Sequence, residues 1–216
     1  TMYLVAGAIL IALPLGVGAA IYLVEYTREN RITRLIRTGV DLLNGTPSIV
    51  FGLFTFSFLV LYLDLGVCLL AGQITLALMV LPTMIRTTEE SLKSVPGGFR
   101  EGSLALGATQ WQTIRHVVIP PAIPGIVTGS ILSIGRAAGE TAPILFTAVV
   151  FSQRILPSSV FQPVMALPYH LFILSTSVPG STTNRYGTAL VLLFVVIAFY
   201  ALAIAIRHHY AGKVRR

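Results

Sequence analysis

The chain has 216 residues, of which 55% are hydrophobic and only 11% are charged, with a formal net charge of +7. A soluble domain usually carries about 25% charged residues, so the composition indicates a membrane protein. The basic residues are spread through short polar segments without interleaved aromatic residues, which favours membrane topology over nucleic-acid binding as the origin of the charge. The one cysteine, Cys68, excludes a disulfide within the chain and is interpreted as a packing residue.

Five apolar segments are predicted to cross the membrane as helices, because a helical span needs roughly 20 mostly apolar residues. In chain order they are Met2–Val24, Ser48–Leu63, Leu65–Ile85, Val117–Phe151 and Tyr186–Ile206. The predicted fold class is therefore an all-α membrane protein, a polytopic helical bundle of about five spans. Between the last two spans, the apolar stretch Val164–Leu174 is too short to cross, which favours a re-entrant or interfacial piece.

The polar stretch after the first span has the pattern of an amphipathic helix. Its apolar face comprises Ile32, Leu35, Ile36, Val40 and Leu43, and its polar face comprises Arg31, Arg34, Arg37, Thr38 and Asp41. The pattern suits a helix lying in the membrane interface, in contact with lipid. A solvated helix packed on the cytoplasmic ends of the spans is the alternative.

Basic residues are distributed unevenly between the two sides of the predicted bundle. If five spans alternate, one side holds Arg28, Arg31, Arg34, Arg37, Arg86, Lys93, Arg100, Arg115, Arg207, Lys213, Arg215 and Arg216. The other side holds Arg154 and Arg185. The positive-inside rule makes the richer side, with its two polar loops and the C-terminus, cytoplasmic. The N-terminus then starts outside, which predicts that an upstream span is missing from this sequence.

The second cytoplasmic loop, about residues 96–120, is predicted to form a helix–turn–helix knob. Pro96 stops the preceding helix, and a short helix follows it. Gly107 makes a sharp turn, because a residue without Cβ adopts such conformations at little cost. Thr109 and Gln112 have the spacing of a capping box, which starts a second helix. A plain helical hairpin that needs no partner is the alternative.

The sequence of this loop, "EGSLALGATQWQTIRHVVIPPAIPG", resembles the EAA loop of ABC importer permeases. The family pattern is Glu-Ala-Ala, three residues, Gly, nine residues and then Ile-x-Leu-Pro. Glu101, Gly107 and Pro120 match this pattern. Its other positions hold residues of similar size or polarity, namely Gly102 and Ser103 for the alanines, and Val117 and Ile119 for the isoleucine and leucine.

The resemblance extends over most of the chain. The segments "ALPLGVGAAIYLVEY", "GTPSIVFGL", "LPTMIRTTEESLKSVP" and "GRAAGETAPILFTA" look like those of phosphate-specific permeases of the PstA type. This implies a type I ABC importer permease fold, in which residues 1–216 form a single transmembrane domain and the first of six spans is missing. It also implies a multi-pass location in the bacterial inner membrane.

The resemblance further implies a permease subunit that moves inorganic phosphate from periplasm to cytoplasm. In that family two related permeases form the pore, a pair of ATPase subunits binds and hydrolyses ATP, and a periplasmic binding protein delivers phosphate. The chain would then be a transport subunit without catalytic residues, metal or cofactor of its own. The residues implied in coupling to the ATPase are Glu101, Gly102, Ser103, Ala105, Leu106, Gly107 and Ala108.

Two charged residues, Arg136 and Glu140, lie inside the fourth apolar segment. If the apolar layer begins near Pro124, Arg136 lies about 18 Å inside a core roughly 30 Å thick, where a charge costs about 2.5–3.5 kcal/mol. The i, i+4 spacing predicts a pair on one helix face. Either the planar fork of Arg136 contacts a translocated anion, with Glu140 as its counter-charge, or the pair only holds helices together.

The residues around this pair are predicted to shape a packed site. Thr141 adds a hydroxyl to the predicted path, and Pro143 is expected to break the helix and free backbone groups to line a cavity. Gly135 and Gly139 form a small-xxx-small step that allows close helix approach.

Enzyme motifs such as GxxxxGK[ST], HExxH and GxSxG are missing from the sequence, so ATP hydrolysis by this chain is not predicted. Three other interpretations stay open. A permease for sulfate or molybdate would use the same arginine chemistry. An ion-coupled secondary transporter or channel would explain the intramembrane charges without the knob. A non-transporting membrane scaffold would not explain Arg136 and Glu140.

Overall fold

The computed structural model describes the backbone of residues 1–153 and 156–214, and the side chains of these residues except 203 and 206–214. Within these ranges the chain forms helices, with one isolated parallel bridge between Val149 and Val164. The helices are α1 (Met2–Ile21), α2 (Arg31–Asn44), α3 (Ser48–Thr55), α4 (Leu69–Lys93), α5 (Gly97–Ala105), α6 (Gln110–Thr113), α7 (Ile119–Gly139), α8 (Leu167–Thr176) and α9 (Thr182–Val214). Short π-helical turns extend α1 over Tyr22–Tyr26 and α3 over Phe56–Tyr62, and join α6 to α7 over Ile114–Val118. Arg154, Arg215 and Arg216, which entered the topology prediction, lie outside the described residues.

Four helical stretches of the described chain are long and apolar enough to cross a membrane: Met2–Tyr26, Leu69–Lys93, Gln110–Gly139 and Thr182–Leu202. A bent pair, α2 and Ser48–Tyr62 meeting at 103°, raises the number to five if it counts as one span. At 1.5 Å per residue Ser48–Tyr62 measures only about 22 Å, less than a core of about 30 Å. The predicted all-α bundle of about five spans is confirmed, but its second span is short.

The centre of the bundle is the contact between α1 and α4, where small residues let two helices approach closely. A Cβ at Gly16 would lie 2.7 Å from Met84 Cγ, and a Cβ at Gly72 would lie 2.8 Å from Leu4 Cδ2. Close approach of this kind relies on van der Waals packing, the main attraction available between helices in lipid. Helix α7 packs against this α1–α4 pair.

The third predicted span ends later than expected, because α4 runs past Ile85 to Lys93. The extra turns carry Glu89, whose side chain is only 1% exposed. Three cations surround its carboxylate: Arg37 Nε at 3.3 Å, Arg86 Nη1 at 3.5 Å and Lys93 Nζ at 3.7 Å. The charged residues continue the helix because they are paired within the fold, which a hydropathy pattern does not reveal.

The amphipathic helix α2 contacts α4 through Arg37 and Asp41 of its polar face, and Val40 of its apolar face packs against the buried core, while the N-terminal part of the apolar face points outward. Arg37 and Asp41 form ion pairs with α4 residues, whereas Ile32 is 68% exposed and Leu35 is 72% exposed. An outward apolar face is suited to lipid or another apolar surface rather than to water. The outward Ile32 and Leu35 favour the interfacial helix, whereas the contacts of α2 with the spans agree with the alternative of a helix packed on their ends.

The segment between α7 and α9 covers the N-terminal end of α4. The amide of Cys68 donates to the carbonyl of Thr147, and the amide of Leu69 donates to the carbonyl of Gln162. Cys68 itself is fully buried, in agreement with its interpretation as a packing residue. Helix α8 is only about 15 Å long, so it does not cross the membrane, as expected for this stretch.

Glu89→Gln is expected to lower the free energy of unfolding by about 3 kcal/mol, because it leaves three cations around a neutral, buried amide. Thermal unfolding of the purified protein in detergent measures the loss. Glu90→Gln is the matched control, since Glu90 is exposed and forms no ion pair among the described residues. Equal melting temperatures of the two variants would contradict the prediction.

Candidate functional site

The loop after α4 folds into a braced helix–turn–helix. The chain turns at Gly107, which has a φ of +85°, and Thr109 caps α6. The predicted capping box is complete: the Thr109 amide donates to Gln112 Oε1 at 2.8 Å, and the Gln112 amide donates to Thr109 Oγ1 at 3.3 Å. Ser103 Oγ and Thr113 Oγ1, 2.8 Å apart, join the two limbs. Local hydrogen bonds therefore fix the two limbs of this knob, residues 97–118, relative to each other.

The outer surface of the knob is open and partly apolar. Of the residues implied in coupling, Glu101, Gly102, Ala105, Leu106 and Gly107 are exposed, while Ser103 and Ala108 are half-buried. Leu106 is 90% exposed, and two residues that the sequence analysis passed over, Phe99 and Trp111, are 60% and 54% exposed. Exposed apolar side chains gathered on one loop indicate a protein contact surface. The coupling role of the predicted residues stays a prediction.

Gly107→Val is expected to deform the knob, because a β-branched residue is strained at a positive φ by about 1–2 kcal/mol. Limited proteolysis of the loop in detergent measures the change as faster cleavage. Gly102→Ala is the control, since Gly102 lies within α5 with open space around it. Equal cleavage rates for both variants would contradict the prediction.

The second group of predicted site residues surrounds the end of α7. Arg136 Nε lies 3.6 Å from Glu140 Oε1, and the two side chains are 33% and 22% exposed. The predicted pair is therefore present and partly open to the surface. Thr141, which was expected to add a hydroxyl, is half-buried next to Glu140.

The geometry of the pair differs from the prediction in one respect. α7 ends at Gly139, and Glu140 is extended with a ψ of 136°, so the two charges do not share a helix face. The helix was predicted to break at Pro143, but it ends four residues earlier. Within a helix Pro143 could not donate a hydrogen bond to the carbonyl of Gly139, and the proline ring would clash with that carbonyl. The chain leaves the helix before that conflict, and Pro143 packs against Gly52 of α3.

The glycines of α7 divide into packing and non-packing positions. A Cβ at Gly135 would overlap the Tyr200 hydroxyl of α9, so this glycine permits close helix approach as predicted. Gly139 has nothing within 4 Å of its Cβ position among the described residues, so its packing role stays a prediction. Gly125 and Gly129 instead approach Ser91 and Thr87 of α4.

Arg136 also has neighbours that the sequence did not place beside it. Its Nη1 lies 3.5 Å from Thr83 Oγ1 on α4, and Thr83 Oγ1 donates to Asn44 Oδ1 at 2.9 Å. One helical turn further along α4, Arg86 pairs with Asp41 at 2.6 Å. Thr83 and Arg86 on α4, and Asp41 and Asn44 on α2, are each three residues apart, which is the one signal in the sequence. Only the fold brings α2, α4 and α7 together.

A groove of about 410 Å³ between α4 and α7 continues from this polar group toward the N-terminus of α7. It lies on the α7 face that carries Arg136, because the lining residue Leu132 is four positions earlier. Hydroxyl-bearing residues line it, namely Thr87, Ser91, Ser94 and Thr128, together with the carboxylate of Glu90. The groove is polar and lies beside Arg136, but an anion within it would also meet the Glu90 carboxylate.

Comparison with a protein-family model and with individual proteins gives consistent results. The family model described as "Binding-protein-dependent transport system inner membrane component" matches residues 12–216. The chain is 36% identical to the "Probable ABC transporter permease protein YqgI" of Bacillus subtilis, over 92% of this chain and 72% of that protein. It is 40% identical to the "Phosphate transport system permease protein PstA 1" of Mycobacterium tuberculosis, over 97% of this chain and 67% of that protein. It is 41% identical to a PstA protein of Xylella fastidiosa, of which it covers 55%.

Solved structures show the same architecture. A chain of the MetNI methionine ABC transporter, solved in inward-facing conformations, superposes with a TM-score of 0.76 at 17% identity, covering 97% of this chain and 93% of that one. The likeness shows the fold, that of type I ABC importer permeases, as the sequence resemblance implied. With the family match over residues 12–216 and relatives at 36–40% identity, the chain belongs to the family of binding-protein-dependent transport system inner membrane components.

Proposed function

We propose that this chain is the permease subunit of an ATP-driven importer that moves inorganic phosphate from the periplasm to the cytoplasm. The observation that carries the proposal is Arg136, a partly exposed cation near the end of a membrane-spanning helix whose one carboxylate partner among the described residues is Glu140. A guanidinium offers two parallel hydrogen bonds to a phosphate, and Glu140 neutralises it when no anion is bound. The phosphate named in the relatives supports this anion over sulfate or molybdate.

The knob docks on a separate ATPase subunit, which binds and hydrolyses ATP, so this chain needs no cofactor. Exposed Leu106 and Trp111 provide the apolar part of the contact, and Glu101, which forms no ion pair within the described part of the chain, provides a charge at its edge. The knob and the C-terminus face the cytoplasm, and the N-terminus of the sequence lies outside, in accordance with the positive-inside rule. A second, related permease completes the pore, and a periplasmic phosphate-binding protein delivers the anion.

The hydroxyl-lined groove between α4 and α7 forms the cytoplasmic part of the path on this chain. An anion released by Arg136 meets Thr87, Ser91 and Thr128 there, whose hydroxyls donate to carbonyls of their own helices at 2.6–2.9 Å. These hydroxyls can rotate to donate to an anion instead, so that each exchange replaces one hydrogen bond with another.

The test is uptake of labelled phosphate by cells that lack their own phosphate permease. The full-length permease is supplied with its ATPase, partner permease and binding protein, with Glu101 intact or replaced by lysine. ATP-dependent uptake that is lost in Glu101→Lys supports both the importer function and the docking of the knob. Uptake of sulfate or molybdate instead would keep the importer function and assign a different substrate. No uptake of any oxyanion by a well-expressed complex would favour a channel or a scaffold.

A further inference from the structure

We propose that Arg100 is the positioning residue that transmits movement of the knob to the membrane-spanning helices α1 and α4. The inference rests on the proposed function, because it takes the knob as the point at which an ATPase acts. Arg100 is adjacent to Glu101 in α5, but the two side chains do different things. Glu101 is exposed, whereas Arg100 is directed into the bundle and is 22% exposed.

Arg100 binds the end of α1 through a two-pronged ion pair. Its Nε lies 3.2 and 3.1 Å from the two carboxylate oxygens of Glu25, and its Nη2 lies 2.7 Å from Oε1. Glu25 belongs to the π-helical turn that ends α1, and its side chain is 7% exposed. A charge-assisted, bidentate pair with little solvent contact fixes both the distance and the orientation of the groups that it joins.

The same guanidinium also binds the end of α4. Its Nη1 donates to the carbonyl of Val95 at 2.7 Å, and its Nη2 donates to the carbonyl of Leu92 at 2.9 Å. Leu92 lies in the last turn of α4, where carbonyls have no partner within the helix. One side chain of the knob therefore holds the cytoplasmic ends of two spans. A lysine could not reproduce this, because it lacks the rigid fork of donors.

The second limb of the knob meets the same point. Gln110 Nε2 donates to the backbone carbonyl of Glu25, and the Ser103–Thr113 hydrogen bond braces the two limbs against each other. A displacement of the knob must therefore carry the ends of α1 and α4 with it or break these bonds. α4 also carries Thr83, the neighbour of Arg136, so this linkage reaches the predicted anion site.

The experiment measures how many ATP molecules are hydrolysed for each phosphate taken up by the complete complex in lipid vesicles. Arg100→Ala is expected to raise this ratio at least tenfold, because the ATPase still turns over while the spans no longer follow the knob. Arg100→Lys and Glu25→Gln are expected to raise it by less, since each retains part of the contact. Arg34→Ala is the control, as Arg34 is an exposed arginine of α2, outside the knob, without an ion pair among the described residues.

A ratio that stays at the wild-type value in Arg100→Ala would overturn the inference. A fall of phosphate uptake and ATP hydrolysis in the same proportion would also overturn it, because that result would indicate that Arg100 only maintains the structure of the complex. If Arg100→Ala does not assemble, Arg100→Lys and Glu25→Gln decide by the same criterion.

A second readout separates this inference from the proposed function. Spin labels are attached at Phe99 of the knob and Leu15 of α1, both exposed, with Cys68 replaced by alanine. The inference requires a narrow distance distribution in the wild type, with and without ATP, that broadens in Arg100→Ala but not in Arg34→Ala. A wild-type complex without oxyanion uptake would refute the proposed function, but the distance between the spin labels would still test the role of Arg100. Equal distance distributions in all variants would refute the role of Arg100 alone.

Discussion

Replacing Arg136 by alanine is expected to reduce phosphate uptake about 100-fold while the permease still accumulates in the membrane. The loss corresponds to two charge-assisted hydrogen bonds of about 1.5 kcal/mol each that the planar guanidinium would make to the anion. Labelled uptake in the reconstituted system measures it, together with the amount of permease in the membrane. Arg34→Ala is the control, because Arg34 is an exposed arginine of α2 without an ion pair among the described residues.

A double substitution distinguishes the anion contact from a purely structural pair. Removing one partner leaves a single charge in a poorly solvated place, but removing both often restores stability. Arg136→Met combined with Glu140→Gln should therefore recover uptake if the pair only holds the bundle together. We expect no recovery, with a normally assembled permease. Uptake near the wild-type level in the double variant would contradict the role of Arg136 in the path.

Leu106→Asp is expected to release the ATPase subunit from the permease. Leu106 is 90% exposed, so the change costs the isolated permease little, but it places a charge in the centre of the proposed apolar contact. Loss of one well-packed contact residue costs about 2 kcal/mol or more, which lowers affinity about 30-fold. Co-purification of the ATPase with tagged permease, and its binding in a titration, measure the effect.

The matched control for this prediction is Leu42→Asp. Leu42 is 69% exposed on α2, at the same end of the bundle but away from the knob. It should leave ATPase binding unchanged. If Leu106→Asp binds the ATPase as tightly as Leu42→Asp does, the docking surface lies elsewhere on the chain.

Much of the candidate site was predictable because its parts depend on near neighbours. The turn at Gly107 and the capping box of Thr109 are decided within a few residues, and both are present. The Arg136–Glu140 pair follows from a spacing of four residues and is also present. By contrast, Thr83 and Asn44 approach Arg136 only through the packing of α2, α4 and α7, which no local pattern encodes.

The sequence by itself determined the membrane class, the approximate spans and the shape of the knob, because hydropathy and turn chemistry act over short distances. Only the tertiary structure decided where α4 ends. Charged residues continue α4 because the carboxylate of Glu89 is paired with three cations, two on α4 itself and one on α2. It also decided that Arg100 faces inward while Glu101 faces outward, because the buried carboxylate that neutralises Arg100 lies 75 residues away in the chain.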